Sequence, residues 1–344
     1  MLFCNSSITN NVNQVNTNLV IRGTGEVLED CSASGRRKPW ERYKMGNEKL
    51  FKLYKLARER DLVIMSSGRL ASLSDCASWL LFNTNENGQK KLAQANFCRF
   101  RTCPMCGWRR RMKLYSQVTA ITDSIMARQD GTRFIFLTLT IQNVEGKELK
   151  RAIDKLNKGW KYLTSKAQKF APAKKLQENL LGYMKAIEIT YNQKQDTYHP
   201  HIHAVLEVEA DYFASRNYIS RRAWAETWQK AIKVDYVPSV DVKAIDCTVK
   251  AVAEVAKYPV KLDGVLKIRN REKAAEVLAV IHNAIFNKRL ITFGGDIAEV
   301  KRKLALDDVE MGDLTHVESE NEKGFNAVAQ ILFRYQAGQG VYIC

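Results

Sequence analysis

The sequence has no stretch of about 20 apolar residues, the length that a helix needs to cross a membrane. It also lacks the basic start and apolar middle of a secretory signal, since residues 1–16 are rich in Asn and Ser. No internal repeat is present. These absences argue against a secreted or membrane-spanning protein, and we expect a cytoplasmic protein with no membrane partner.

Acidic residues are scarce relative to basic ones. The chain has 37 Asp and Glu against 54 Lys and Arg, which gives a formal net charge of +17. They are also clustered near the C-terminus, where the acidic segment contains Asp307, Asp308, Glu310, Asp313, Glu318, Glu320 and Glu322. The rest of the chain is therefore more basic than the total suggests. Such an excess favours DNA or RNA as the partner, since neutralised phosphates release counterions. A charge that only maintains solubility is the alternative.

Helical and strand-like apolar patterns alternate along the chain. Helices are predicted over 47–60, 147–169 and 247–257, and strands over 132–141, 183–191, 201–208 and 239–245. Ser220 is a predicted helix cap. Strands separated by helices, with one tight polar hairpin, indicate an α+β fold in which flanking helices pack on a central antiparallel sheet. We expect a mobile tail (1–37), a helical and cysteine-rich region (38–112), a domain that contains the sheet (113–285) and a C-terminal extension with the acidic segment (286–344).

Histidine is rare, yet three of the five histidines fall in the sequence HPHIH at 199–203. On a strand, His201 and His203 share one face and can chelate a divalent ion. A carboxylate on the neighbouring strand, for which Glu188 is the nearest candidate, would suit Mg²⁺ or Mn²⁺. We expect His199 to orient a neighbour or contact a phosphate. A polar strand face without metal is the alternative.

The segment 247–261 has an apolar stripe and, on its opposite side, Lys250, Glu254, Lys257, Tyr258 and Lys261. Pro259 should end the helix directly after the tyrosine. A phenol that attacks a phosphodiester needs nearby positive charge, which Lys257 and Lys261 would supply. Glu254 would act as a general base on water. An amphipathic helix with a solvated basic face is the alternative interpretation.

Four of the eight cysteines lie close together in the sequence, at Cys76, Cys98, Cys103 and Cys106. Four thiolates around Zn²⁺ would form a closed structural site. A redox-active pair and free buried thiols are the alternatives. Basic residues surround this region, and we expect them to contact DNA phosphates together with Lys250 and Lys261: Arg99, Arg101, Arg109, Arg110 and Arg111.

Taken together, these motifs resemble the single-tyrosine HUH endonucleases, specifically the replication initiators of rolling-circle plasmids from Gram-positive bacteria. The resemblance runs from about Lys38 to near the C-terminus and rests on KPWERYK, DCASWLLF, NFCRFRTCPMCGWRR, FLTLT, YHPHIHAVL and AEVAKYPVK, in that order. One departure is Ala77, which follows Cys76 where relatives often have glycine.

The resemblance implies a metal-dependent DNA nicking endonuclease and strand transferase in which His201 and His203 bind metal and Tyr258 is the nucleophile. Tyr258 would cut an origin hairpin, forming a 5′-phosphotyrosine and freeing a 3′-hydroxyl, and Glu254 would activate water at termination. It also implies an antiparallel sheet with helices on one face. The expected partners are plasmid origin DNA, single-stranded at the nick, the host helicase and DNA polymerase, and a possible homodimer.

Three rival interpretations stay open. HPHIHAV also fits a histidine-triad nucleotide hydrolase or transferase, in which His201 would be the nucleophile. A zinc-containing DNA-binding regulator with an inert nuclease-like region would bind a hairpin without cutting it. A transposase of the same superfamily would differ only in the DNA that it recognises.

Overall fold

The computed structural model describes residues 20–21, 25–32, 34–165, 171–213, 216, 218–245, 262, 264–317 and 325–344. The helices are α1 (Trp40–Glu59), α2 (Ser67–Asp75), α3 (Pro104–Met126), α4 (Leu149–Thr164), α5 (Ala171–Asn179), α6 (Arg221–Ile232), α7 (Arg271–Ile285) and α8 (Gly295–Lys303). The strands are β1 (Val20–Ile21), β2 (Trp79–Thr84), β3 (Lys90–Ala95), β4 (Arg133–Thr140), β5 (Leu180–Asn192), β6 (Thr197–Val208), β7 (Val240–Ile245), β8 (Ile291–Gly294), β9 (Ala329–Gln336) and β10 (Val341–Ile343).

Contacts divide the chain into two compact units. The larger unit comprises Pro39–Ala77 and Asn96–Asn321, and the smaller unit comprises Met1–Lys38, Ser78–Ala95 and Glu322–Cys344. Among the described residues, no helix combines the length and the apolar character that a bilayer crossing requires. The four-segment division expected from the sequence stays a prediction.

The larger unit is built on a five-stranded antiparallel sheet in the order β7-β4-β6-β5-β8. The two long strands β5 and β6 form the predicted hairpin across a polar turn at 193–196. The α+β class with a central antiparallel sheet is therefore confirmed. The edge strand β8 comes from beyond residue 285, so part of the C-terminal region adds a strand to this sheet.

Helices cover both faces of this sheet, whereas the resemblance implied one. On the first face, α4 packs on β6 and on α6, with Trp160 of α4 against Tyr183 of β5. Gly159 allows this close approach, because an added Cβ would lie 2.7 Å from both Ile232 and Trp228. On the second face, apolar residues of α3 and α8 join Phe136, Met184 and Val205 in one core cluster.

The smaller unit is a second five-stranded sheet assembled from distant parts of the chain. Strand β9 lies at its centre and pairs with β2 and β10 antiparallel and with β1 parallel, while β3 pairs with β2. Buried Phe82 and Phe333 make an edge-to-face contact at its core. Most of the predicted N-terminal tail lies outside the described residues, as does the helix predicted over 247–257.

Candidate functional site

The candidate metal centre lies where β4, β5 and β6 run side by side. Glu188 on β5 pairs with His201 on β6, and Thr138 on β4 pairs with His203. Residues opposite each other in a sheet point to the same face, as do residues two apart on a strand. Local strand geometry therefore places the carboxylate and both imidazoles together.

The ligand atoms of this centre converge on one point. His201 Nε2 and His203 Nε2 are 3.1 Å apart, and Glu188 Oε2 lies 3.4 Å from His203 Nε2 and 3.9 Å from His201 Nε2. Two nitrogens that each bind one ion at about 2.1 Å lie about 3 Å apart when the angle at the metal is near 90°. The three atoms fit the coordination of a single divalent ion.

Hydrogen bonds at the far side of each ring fix the imidazoles. His201 Nδ1 donates to the main-chain oxygen of His199 at 3.1 Å, which leaves Nε2 as the lone-pair nitrogen. His203 Nδ1 is 3.1 Å from Thr138 Oγ1, and its ring stacks on Phe136 with centroids 5.5 Å apart. Such outer contacts orient metal-binding histidines. Thr138 was not singled out from the sequence, although its place in FLTLT puts it on the same face as Thr140.

The burial of the centre favours neutral imidazole, the form that binds metal. Glu188 and His201 are buried, with only 3% and 8% of their surfaces exposed, and His203 is partly buried. Burial, reinforced by the neighbouring His203, lowers the pKa of His201 to about 4. His201 is therefore uncharged at neutral pH, the form in which an imidazole nitrogen binds a divalent cation.

His199 lies beside this centre without joining the converging atoms. Its Nδ1 is 2.9 Å from Asn143 Oδ1, and its ring centroid is 5.0 Å from that of His201. The predicted orienting or phosphate-contacting role of His199 stays a prediction.

The predicted nucleophile and its neighbours lie outside the described residues: Lys250, Glu254, Lys257, Tyr258 and Lys261. Their roles stay predictions.

The four predicted zinc ligands come together in a second cluster. The Sγ atom of Cys76 lies 3.7 Å from that of Cys103 and 3.6 Å from that of Cys106. The Sγ atom of Cys98 lies 3.7 Å from that of Cys106. These distances exclude disulfide bonds, whose sulfurs are about 2.05 Å apart. They match the edge of about 3.8 Å of a tetrahedron with metal–sulfur bonds of about 2.3 Å.

Two polar residues of α1 support the cysteine cluster, and neither was identified from the sequence. Asn47 Nδ2 donates to Cys103 Sγ at 3.4 Å, and Lys44 Nζ donates to the main-chain oxygen of Cys76 at 2.8 Å. Lys44 is only 3% exposed, and burial lowers its pKa while the nearby Cys76 opposes that shift. A buried cation beside four sulfurs offsets the negative charge that thiolate ligands carry. Ala77, which departs from the related pattern, has a left-handed φ of 51°, the conformation that glycine tolerates best.

The burial of Arg109 and Arg110 corrects the prediction that both bind DNA phosphates. Both residues are 0% exposed. Arg109 donates to the main-chain oxygens of Leu314 and Thr315, and Arg110 to those of Phe100 and Glu310. The two guanidinium groups tie α3 to the acidic segment, so they are unavailable to a phosphate on the surface.

The other three arginines of this region differ in exposure. Arg101 is partly buried, forms an ion pair with Glu310 at 3.3 Å and donates to the main-chain oxygen of Ile285. Arg99 and Arg111 are exposed. Arg111 donates to the hydroxyl of Tyr43 at 2.8 Å. Phosphate contacts by these three arginines stay predictions.

Comparison with known proteins places the chain in a family. The family model described as "Replication protein" matches residues 89–343. The chain belongs to this replication-protein family. The predicted resemblance to plasmid replication initiators is thereby confirmed.

Relatives of similar length support the assignment. The chain is 36% identical over 313 residues to "Protein rep" of Streptococcus pneumoniae serotype 2 (strain D39 / NCTC 7466), an alignment that covers 88% of this chain and 92% of the relative. It is 34% identical over 337 residues to "Protein rep" of Bacillus amyloliquefaciens, covering 92% and 97%. A third "Protein rep", from Lactiplantibacillus plantarum, is 36% identical over 306 residues, covering 86% and 91%. No solved structure matches the chain significantly.

Proposed function

We propose that this replication protein initiates rolling-circle replication of a plasmid by nicking one strand of the origin, with Tyr258 as the nucleophile. The observation that carries the proposal is the convergence of His201 Nε2, His203 Nε2 and Glu188 Oε2 on one sheet face, in a chain of the replication-protein family. Paired imidazoles with a carboxylate suit phosphodiester chemistry that depends on a divalent ion, which we take to be Mn²⁺ or Mg²⁺.

In the proposed reaction, Tyr258 gives up its phenolic proton to solvent water, and its phenolate oxygen attacks the scissile phosphorus. A bond forms between that oxygen and phosphorus, and the bond from phosphorus to the 3′-oxygen breaks. The departing 3′-oxygen takes up a proton and becomes the 3′-hydroxyl that the host polymerase extends after a host helicase opens the duplex. A divalent ion held by His201, His203 and Glu188 would supply Lewis-acid stabilisation of the phosphate charge. Glu254 would accept a proton from water at the terminating cleavage.

A separate structural role is proposed for the cysteine cluster. Four buried sulfurs at tetrahedral spacing suit Zn²⁺ and leave no position open for chemistry. Zinc would then join the end of α2, the loop before α3 and the first turn of α3.

The deciding experiment incubates the full-length protein with a labelled single-stranded hairpin from its plasmid origin and Mn²⁺, then maps the covalently attached residue. We expect a phosphotyrosine at 258, and we expect Tyr258→Phe to abolish adduct formation while hairpin binding is retained. Tyr218→Phe, at a tyrosine that is 50% exposed, is the matched control and should nick normally. Glu254→Ala should keep the first cut and slow hydrolytic release.

Two outcomes would reject the proposal. A phosphohistidine at His201 would favour a histidine-triad transferase. Hairpin binding without any cut in Mn²⁺ would favour a DNA-binding regulator whose nuclease-like region is inert.

A further inference from the structure

Helix α4 carries a basic face that the reaction above does not use. All of its exposed residues are Lys or Arg, and they are Lys150, Arg151, Lys155, Lys158 and Lys161. At 100° per residue the five fall within an arc of about 140°, so they form one stripe. The opposite side of the helix is apolar and packs on the sheet and on α6.

Few acidic side chains lie close enough to neutralise the charge of this α4 stripe. Arg151 pairs with Glu148 at 3.4 Å, and Asp154 within the same arc is paired with Lys288. Lys150, Lys155, Lys158 and Lys161 form no ion pair with another described residue. Four uncompensated ammonium groups therefore point into solvent along about 17 Å of helix.

The stripe lies on the sheet face opposite the metal centre, because α4 contacts Tyr183 and Lys185 of β5, whereas Glu188, His201 and His203 point to the other face. Val144, shortly before α4, exchanges two main-chain hydrogen bonds of 2.8 Å with Tyr198, three residues before His201. Further along, Asn157 accepts a hydrogen bond from Lys185 and Trp160 contacts Tyr183, so the helix runs toward the opposite end of β5 from Glu188. The α4 stripe thus runs along the first sheet face, and the metal centre lies on the second face.

We propose that the α4 stripe binds the sugar–phosphate backbone of duplex DNA on the side of the sheet opposite the metal centre. This inference rests on the proposed function and extends it to a second DNA surface. A helix face whose exposed residues are all Lys or Arg suits phosphates, whereas protein interfaces are depleted in lysine and enriched in aromatic residues. The length of about 17 Å matches about five base pairs, half a turn of duplex.

The test compares two triple variants of the full-length protein. K150Q/K155Q/K158Q removes three charges from the α4 stripe. K49Q/K52Q/K55Q removes three exposed charges from α1 and is the matched control. Binding to a labelled 30-base-pair duplex of arbitrary sequence is measured between 50 and 300 mM salt, because phosphate contacts are independent of sequence.

We expect the α4 variant to bind the duplex at least tenfold more weakly and its salt slope to fall by about 2 to 3, since each phosphate contact contributes about 0.9. The control should keep both values near wild type. Both variants should keep the wild-type melting temperature, because the changed residues are exposed. Nicking of a single-stranded oligonucleotide is assayed in parallel and should survive in the α4 variant.

An unchanged slope in the α4 variant, or equal losses in the two variants, would overturn the inference. An unchanged salt slope is the result expected if the α4 stripe instead binds an acidic protein. Absence of a covalent adduct in the wild-type protein would reject the proposed nicking chemistry while leaving the duplex measurement interpretable, so the two failures are distinguishable.

Discussion

At the scale of single residues, the buried arginines of α3 show how one residue type serves two purposes in a basic chain. Arg109 Nε and Nη2 donate to the main-chain oxygens of Leu314 and Thr315 at 2.9 and 2.8 Å, so these donors are used inside the protein. Sequence alone does not separate such a residue from Arg111, two positions along the same helix, because burial depends on where the acidic segment packs.

Arg109→Met should therefore destabilise the protein by about 3 kcal/mol, since it removes the donor to one buried and one partly buried carbonyl oxygen. Urea unfolding followed by circular dichroism measures this change. Arg111→Met at the exposed neighbour should change the free energy of unfolding by no more than about 0.5 kcal/mol. If Arg109→Met unfolds like wild type but loses DNA affinity, the phosphate-binding role is restored.

At the scale of elements, the β5–β6 hairpin was predictable and its register was not. Alternation of apolar and polar residues identified both strands, and spacing by two put His201 and His203 on one face. The pairing of Glu188 with His201 depends on the turn, where Asn192 Oδ1 accepts hydrogen bonds from the main chain of Lys194 and Gln195.

The second sheet shows a stricter limit on sequence reasoning. Strand β2 pairs with β9 from Trp79↔Arg334 to Thr84↔Ala329, a separation of about 250 residues. Local periodicity carries no information about such distant partners. The packing of helices on the second face of the larger sheet was missed for the same reason, since α3 and α8 are distant in sequence and meet in the core cluster.

The cysteine cluster also acts at the scale of elements, because its ligands come from three successive parts of the chain. Cys106→Ser should release about one zinc ion per chain and lower the free energy of unfolding by at least about 3 kcal/mol. Colorimetric zinc release and urea unfolding measure the two effects. Cys31→Ser, at an exposed cysteine, is the control and should change neither. Equal zinc content and stability in the two variants would contradict a structural zinc site.

At the scale of the whole molecule, the charge of +17 is unevenly distributed in a way that composition does not show. Part of the acidic segment lies against α3, where Lys113 pairs with Asp307 at 2.7 Å, while the lysines of α4 face solvent. Internal pairing removes some cations from any DNA surface, and the basic excess is therefore concentrated on other faces.

The dependence of stability on pH should reveal a buried carboxyl on β6. Glu207 is 1% exposed, and burial, with the neighbouring Asp296, raises its pKa to about 8, so it is protonated in the folded chain at neutral pH. In the unfolded chain its pKa returns to about 4.5. Between these values the folded state holds one proton more than the unfolded state. The stabilisation that Glu207 contributes should therefore be fully present below about pH 4.5. It should decrease by about 1.4 kcal/mol per pH unit until about pH 8.

Histidines with lowered pKa values, such as His201, oppose this trend near pH 6.5, because they are half protonated in the unfolded chain and neutral in the fold. The effect of Glu207 is therefore the difference between wild type and a variant without this carboxyl from pH 6.5 to 8. Glu207→Gln keeps the shape of a protonated carboxyl without its titration. It should flatten the decline over that interval and raise the melting temperature at pH 8. Glu209→Gln, two residues further at an exposed position, should leave the wild-type slope intact. Equal slopes in wild type and Glu207→Gln would show that Glu207 is ionised in the fold.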